Sequence, residues 1–180
     1  MRPFTLLVFF VLLLLSAGSQ AQTPRSAVDY YNRGIARYEK GDVDGAITDF
    51  TRAIGINPRF DKAYYDRGLE RSRKGDPDGA IADYTKAIEI NPRYAEAYYN
   101  RGNARIRRGD VDGAITDFTK AIEINPRSAK AYVGRGLAQL SQGKDAEAEP
   151  DFKKAIEIDP SLKPLIEQVA DQIKKQRKPQ

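Results

Sequence analysis

The chain of 180 residues contains no cysteine, no histidine and no tryptophan, and only one methionine. The missing cysteines exclude a disulfide framework, a thiol nucleophile and a thiolate metal site. The missing histidines remove the commonest general base and the usual imidazole ligand. Any catalysis would rest on carboxylates, amines and hydroxyls alone. Paired acids do occur, such as Asp42 with Asp44 and Asp110 with Asp112, but they recur at a fixed interval before apolar helical patterns. There a carboxylate satisfies free backbone N–H groups and the helix dipole. The sequence therefore predicts a non-enzymatic protein that needs neither cofactor nor metal.

Neither sign of charge dominates: 30 lysines and arginines stand against 25 aspartates and glutamates, for a formal net charge of +5. So mild a basic balance does not point to nucleic acid. The only long apolar run is Phe4 to Leu15, preceded by Arg2 and followed by the small and polar stretch Ser16 to Ala21. It falls short of the about 20 residues that cross a bilayer. A positive start, a short apolar stretch and a small-x-small ending (Ser19, Ala21) make a secretory signal peptide over residues 1–21. Cleavage after Ala21 leaves residues 22–26 as a short leader and predicts an exported protein, periplasmic or secreted. The alternative is an uncleaved anchor. With no cysteine after the apolar run, lipid attachment is excluded.

What the sequence has in abundance is repetition. Pro58, Pro92, Pro126 and Pro160 stand 34 residues apart. Gly34, Gly68, Gly102 and Gly136 keep the same interval, as do Gly41, Gly75, Gly109 and Gly143. Ala46, Ala80, Ala114 and Ala148 follow it, and so do the aromatics Phe50, Tyr84, Phe118 and Phe152. A fixed period of this length describes stacked small units and not one globular core. The third unit shows the physics. Ala95 to Arg108 lacks proline and places Ala97, Tyr98, Ala104 and Ile106 as apolar positions; Gly109 interrupts where a residue without Cβ adopts positive φ at low cost. Asp110 then caps a second helix whose apolar residues Ala114, Ile115, Phe118, Ala121 and Ile122 share one face. Pro126 stops it. Gly102, in mid-helix, predicts a close helix–helix approach opposite Ala114.

Tyr98, Gly102, Ala114, Phe118, Ala121 and Pro126 together resemble the tetratricopeptide repeat. The resemblance covers four units, 27–60, 61–94, 95–128 and 129–162, the last of them degenerate, followed by a C-terminal capping helix over 163–178. It implies an all-α fold: a right-handed α-solenoid of helix-turn-helix repeats. Two departures from the family pattern recur. Arginine replaces the large apolar residue before the first glycine (Arg33, Arg67, Arg101, Arg135), and an aspartate precedes each second-helix aromatic (Asp49, Asp83, Asp117, Asp151). These are expected to pair between neighbouring helices as a ladder of partly buried ion pairs that fixes how the units register. In the fourth unit Glu149 and Pro150 replace an isoleucine and a small residue, and Pro150 is expected to loosen the start of that helix.

In the family the first helices line a concave face, so the resemblance implies a groove formed by residues at fixed places in each unit. Tyr31, Tyr65, Tyr99 and Val133 are the fifth residues, with Ile35, Leu69, Asn103 and Leu137 a turn along. Tyr38, Ser72, Ile106 and Leu140 lie further on. The polar neighbours are Asn32, Asp66, Asn100, Lys62, Lys130, Arg73 and Arg107. Tyrosines supply contact area at little entropic cost, so this row suits a peptide or helix of a protein partner; the same tyrosines could equally pack against adjacent first helices. The lysine–asparagine clamp that some family members use for a terminal carboxylate is absent, since acids occupy its usual places. The leading expectation is an interaction scaffold acting outside the cytoplasm. The alternative is an envelope-surface protein that holds an anionic polymer or membrane through Lys174, Lys175, Arg177 and Lys178. Self-association through the first unit remains a third reading.

Overall fold

The computed structural model describes residues 26–177; the signal-peptide reading concerns residues outside that range. Among the described residues there are nine α-helices and one short 3-10 turn. In chain order they are α1 (Ala27–Glu39), α2 (Val43–Ile56), α3 (Asp61–Arg73), α4 (Pro77–Ile90), α5 (Ala95–Arg108), α6 (Val111–Ile124), α7 (Ala129–Ser141), α8 (Asp145–Ile158) and α9 (Lys163–Arg177). The 3-10 turn Pro160–Leu162 joins α8 to α9. Each odd-numbered helix up to α7 packs antiparallel on its successor, and each pair stacks on the next: the all-α solenoid of helical hairpins anticipated from the period. No described helix is long and apolar enough to cross a membrane.

Each hairpin turns the same way for a local reason. Gly109 has φ +85° and ends α5 in the left-handed conformation, as its three counterparts end their helices. Asp110 then accepts from the Gly113 N–H at 3.0 Å, and Asp42 and Asp76 do the same for Gly45 and Gly79. The glycine is needed because a Cβ on Gly113 would stand 2.3 Å from the capping carboxylate. In the fourth unit Lys144 and Glu147 replace this aspartate and glycine together, and α8 has no side-chain cap. Its first residue nevertheless keeps the register of the other second helices, and Pro150 lies within the helix. The lost cap follows from Lys144 and not from Pro150, and the helix keeps the same 14 residues as the other second helices.

The core is made of small residues and rings. Ala80, Ala87, Ala97, Ala114, Ala121 and Ala131 are all but inaccessible, which lets the helices approach closely, and Phe50, Tyr84 and Phe118 fill the space between them. The mid-helix glycines meet these rings and not the alanines: a Cβ on Gly102 would lie 2.8 Å from the Phe118 ring. The sequence expectation of Ala114 as the opposing residue is corrected accordingly. The aromatic at that place is simply the longer side chain, and it reaches under the glycine.

The arginine–aspartate ladder is present in every unit. Arg67 grips both oxygens of Asp83 (2.9 and 2.6 Å), Arg101 those of Asp117 (2.9 and 2.7 Å), and Arg135 those of Asp151 (both 2.7 Å). Arg33 and Asp49 form the same pair. The aspartates are 0–4% exposed, so each bidentate pair is a charge-assisted contact with little water. Two further features lay beyond the sequence reading. A second arginine one turn along joins three of the rungs, with Arg71 2.9 Å from Asp83 and Arg105 2.9 Å from Asp117. The remaining guanidinium nitrogen of Arg67, Arg101 and Arg135 donates to Thr51, Thr85 and Thr119 of the preceding unit. The ion pairs themselves lie within a unit; these threonine bonds tie one unit to the next.

Candidate functional site

The first-helix tyrosines form a second ladder, and it is uneven. In the first rung the Tyr31 ring packs against Phe60 at 4.9 Å and Phe50 at 5.7 Å, and its hydroxyl donates to Asp66 at 2.7 Å. In the second the Tyr65 ring meets Tyr94 at 4.7 Å and Tyr84 at 5.9 Å, while the Asn100 amide donates to its hydroxyl at 2.9 Å. Each rung joins one first helix to the next, so the packing role expected of these tyrosines is real for Tyr31 and Tyr65.

In the third rung Tyr99 keeps its contact with Phe118 at 5.8 Å. Ser128, however, stands where Phe60 and Tyr94 stood, and Gly134 where Asp66 and Asn100 stood. The rung loses both its second ring and its polar partner. What opens there is a pocket of about 710 Å3, walled on its apolar side by Tyr99, Val133, Leu137, Leu162 and Leu165. Glu96, Asn103, Arg127 and Lys130 supply its polar side. The Lys130 ammonium lies 4.8 Å above the Tyr99 ring, a cation–π contact that holds a positive charge at the mouth. A smaller apolar recess of about 400 Å3 shares Asn103, Gly134 and Leu137 and extends to Ile106 and Ile173. Leu165 is 55% exposed and Ile106 39%, unusually high for large apolar side chains lining a cleft.

The other residues expected in the groove are placed as follows. Tyr38 stacks on the Arg73 guanidinium at 4.4 Å and accepts a hydrogen bond from it at 2.9 Å. Arg107 donates to the Ser72 carbonyl and hydroxyl. Ile35 and Leu69 are half-buried, and Asn32 and Lys62 are exposed. Of the residues named from the sequence, the structure brings Tyr99, Asn103, Lys130, Val133 and Leu137 together at the pocket, and spends Tyr31, Tyr65, Asn100 and the Tyr38–Arg73 pair on joining units. Ser128, Leu162 and Leu165 were missed. Their signal was available: Ser128 breaks an aromatic series, Leu162 ends the last repeat and Leu165 follows it.

Burial sets the protonation of the groups around these rungs. Burial, then the hydrogen bond to Asp66, pushes the Tyr31 hydroxyl well above the ordinary tyrosine value. Burial and the nearby Asp66 charge push Tyr65 to about 12, and burial raises Tyr94 as well. These phenols stay protonated at neutral pH and act as hydrogen-bonding, stacking surfaces. Burial also raises the Asp66 carboxyl, against the opposing pull of Tyr31 and Lys62.

Comparison with known proteins fits this geometry. No curated protein matches the sequence. Among solved structures, the crystal structure of MamA superposes with a TM-score of 0.74 at 29% identity, over 82% of this chain and 84% of that one. MamA from Desulfovibrio magneticus RS-1 gives 0.70 at 24% identity over 76% and 77%. The first tetratricopeptide domain of Spaghetti (RPAP3), bound to the HSP90 peptide SRMEEVD, shares the fold with a TM-score of 0.64 at 21% identity over 69% of this chain and 99% of that one. A tetratricopeptide repeat model matches residues 31–95, 65–127 and 99–162 in overlapping pairs of units. With hairpins, glycine turns, alanine seams and matched residues all in step, the chain belongs to the tetratricopeptide repeat family.

Proposed function

We propose that this protein is a non-catalytic interaction scaffold that holds a peptide or helix of a protein partner along its concave face, with an apolar side chain of that partner seated beside Tyr99. The observation that carries this reading is the third rung: a periodic closure of the groove that fails once, where Ser128 and Gly134 replace an aromatic and a polar residue. Structural repetition needs no such break, whereas a site does. Peptide recognition by a more distant protein of the same fold is consistent with it. The signal-peptide pattern of residues 1–21 supports action outside the cytoplasm, in the periplasm or beyond the cell.

A photocrosslinking side chain at Val133 tests the reading. It is expected to trap one protein partner in the native envelope, while the same group at exposed Arg59 traps none; adding Ser128→Tyr should abolish the trap. Equal labelling from both places would move the interaction away from the groove. Salt separates this reading from attachment of the basic tail to an anionic surface, which would weaken steeply between low and moderate ionic strength while groove capture persists.

A further inference from the structure

A separate groove lies at the C-terminal edge of the stack, away from the pocket beside Tyr99. In the earlier units each second helix is covered by the first helix of the next: α3 packs on α2, α5 on α4 and α7 on α6. The last helix breaks this rule. α9 packs chiefly on α7; Ala170 and Ile173 join Leu140 of α7 with Ala148 and Phe152 of α8 in one cluster, and the rest of the α8 flank stays open. Phe152 is consequently partly exposed, although Phe50, Tyr84 and Phe118 at the same place in earlier units are buried; Ile156 is partly exposed too, like Ile54 and unlike the buried Ile88 and Ile122. A groove of about 830 Å3 runs between α8 and α9 over Phe152, Ile156 and Ile166.

Its rim departs from the repeat in one chemical direction. Asp145 stands where the earlier units have Val43, Pro77 and Val111, and Glu149 where they have Ile47, Ile81 and Ile115. Across the groove α9 presents Glu167 and Asp171. Each wall thus carries two acids four residues apart, about one helical turn. Lys174 lines the groove as well, 4.0 Å from Asp145, and Lys163 lies 3.9 Å from Glu167. An apolar floor between two acidic rows complements one kind of occupant.

We propose that this groove docks an amphipathic helix of a partner protein, with an aliphatic stripe on the floor and lysines or arginines against Asp145, Glu149, Glu167 and Asp171. Such a helix takes the seat that a further repeat helix would fill. Charge sets the orientation and the choice of partner, and the apolar floor supplies the affinity.

The test uses the full chain and two fluorescein-labelled peptides about three helical turns long. Both carry the same leucine face; one has lysines flanking it and the other glutamates. Fluorescence anisotropy at moderate salt should show the lysine peptide binding at least about tenfold more tightly than the glutamate peptide. Asp145→Lys with Glu149→Lys, its helicity checked by circular dichroism, should reverse that order. Asp145→Val with Glu149→Ile restores the residues of the earlier units and should erase the preference while keeping the fold. Ser128→Tyr should leave lysine-peptide binding unchanged, which distinguishes this groove from the concave pocket. Equal binding of the two peptides, loss of binding on Ser128→Tyr, or a dimer of the chain that excludes the lysine peptide would overturn the proposal.

Discussion

Gly134 lies against the ring of Phe118, so closely that a Cβ on its α-carbon would stand 2.9 Å from two ring carbons. Phe118 is fully buried and cannot swing aside. Gly134→Ala is therefore expected to destabilise the protein by about 1–3 kcal/mol through overpacking, although alanine is the better helix former. Ser128→Tyr fills the same pocket from its open side and should leave stability unchanged while blocking the partner. Urea denaturation of both variants separates the two effects; equal stability of Gly134→Ala and wild type would contradict the close approach.

Glu70 is 3% exposed, and its Oε2 has no hydrogen-bond partner among the described residues. Its other oxygen faces Arg73 at 3.2 Å. The same place in the other units is Ala36, Ala104 and Ala138. A buried acceptor left unsatisfied costs about 1–3 kcal/mol, so Glu70→Ala should stabilise the protein by that order at neutral pH. Burial raises the Glu70 carboxyl above its ordinary value, more than Arg73 lowers it. With the folded value above the unfolded one, the folded state binds the proton more tightly. The penalty is then in force above the raised folded value and fades as pH falls toward the ordinary carboxylate range. The advantage of Glu70→Ala over wild type should shrink across that window; an advantage that grew on acidification would refute the assignment.

The arginine ladder predicts a definite sign. Arg101→Leu leaves the buried Asp117 carboxylate with Arg105 alone and severs the bond to Thr85. Breaking one partner of a buried pair costs about 3–5 kcal/mol when nothing else remains. With Arg105 in place, a loss of about 2 kcal/mol is expected. Thr85→Val should cost less, about 1 kcal/mol, yet it removes the tie between units. A more stable Arg101→Leu protein in thermal denaturation would show that the ladder contributes nothing to holding units in register.

A glycine inside a helix normally weakens it, but Gly113 should be an exception. A Cβ there collides with the Asp110 carboxylate that caps α6. Gly113→Ala is expected to lower stability by about 1 kcal/mol, the worth of the cap, against the gain that helix propensity alone would give. In an Asp110→Ala background the same change should turn stabilising. Chemical denaturation of the four proteins in this cycle decides the matter.

Much of this molecule was legible residue by residue because each unit is built from local rules. Gly109 needs positive φ, Asp110 caps, and Ala114, Phe118 and Ala121 share a face, so the hairpin follows from spacing alone. The ion pairs were legible for a similar reason, since a buried arginine and aspartate repeated in step have few other partners. The opposition of Gly102 to Phe118, and the second arginine on each aspartate, were not. They depend on how far a side chain reaches between two helices whose separation the sequence does not state.

The sequence by itself determined the repeated hairpin, the all-α solenoid and the absence of cysteine and histidine chemistry, because periodic apolar faces and turn residues act over a few positions. Only the tertiary structure decided which tyrosines are spent on packing and which one faces a pocket. That choice rests on residues from neighbouring units, Ser128 and Gly134 beside Tyr99, and on how α9, leaning chiefly on α7, places Leu165 at the pocket. Such contacts depend on the angle and distance between helices, which the packing of the whole stack sets and no single repeat contains.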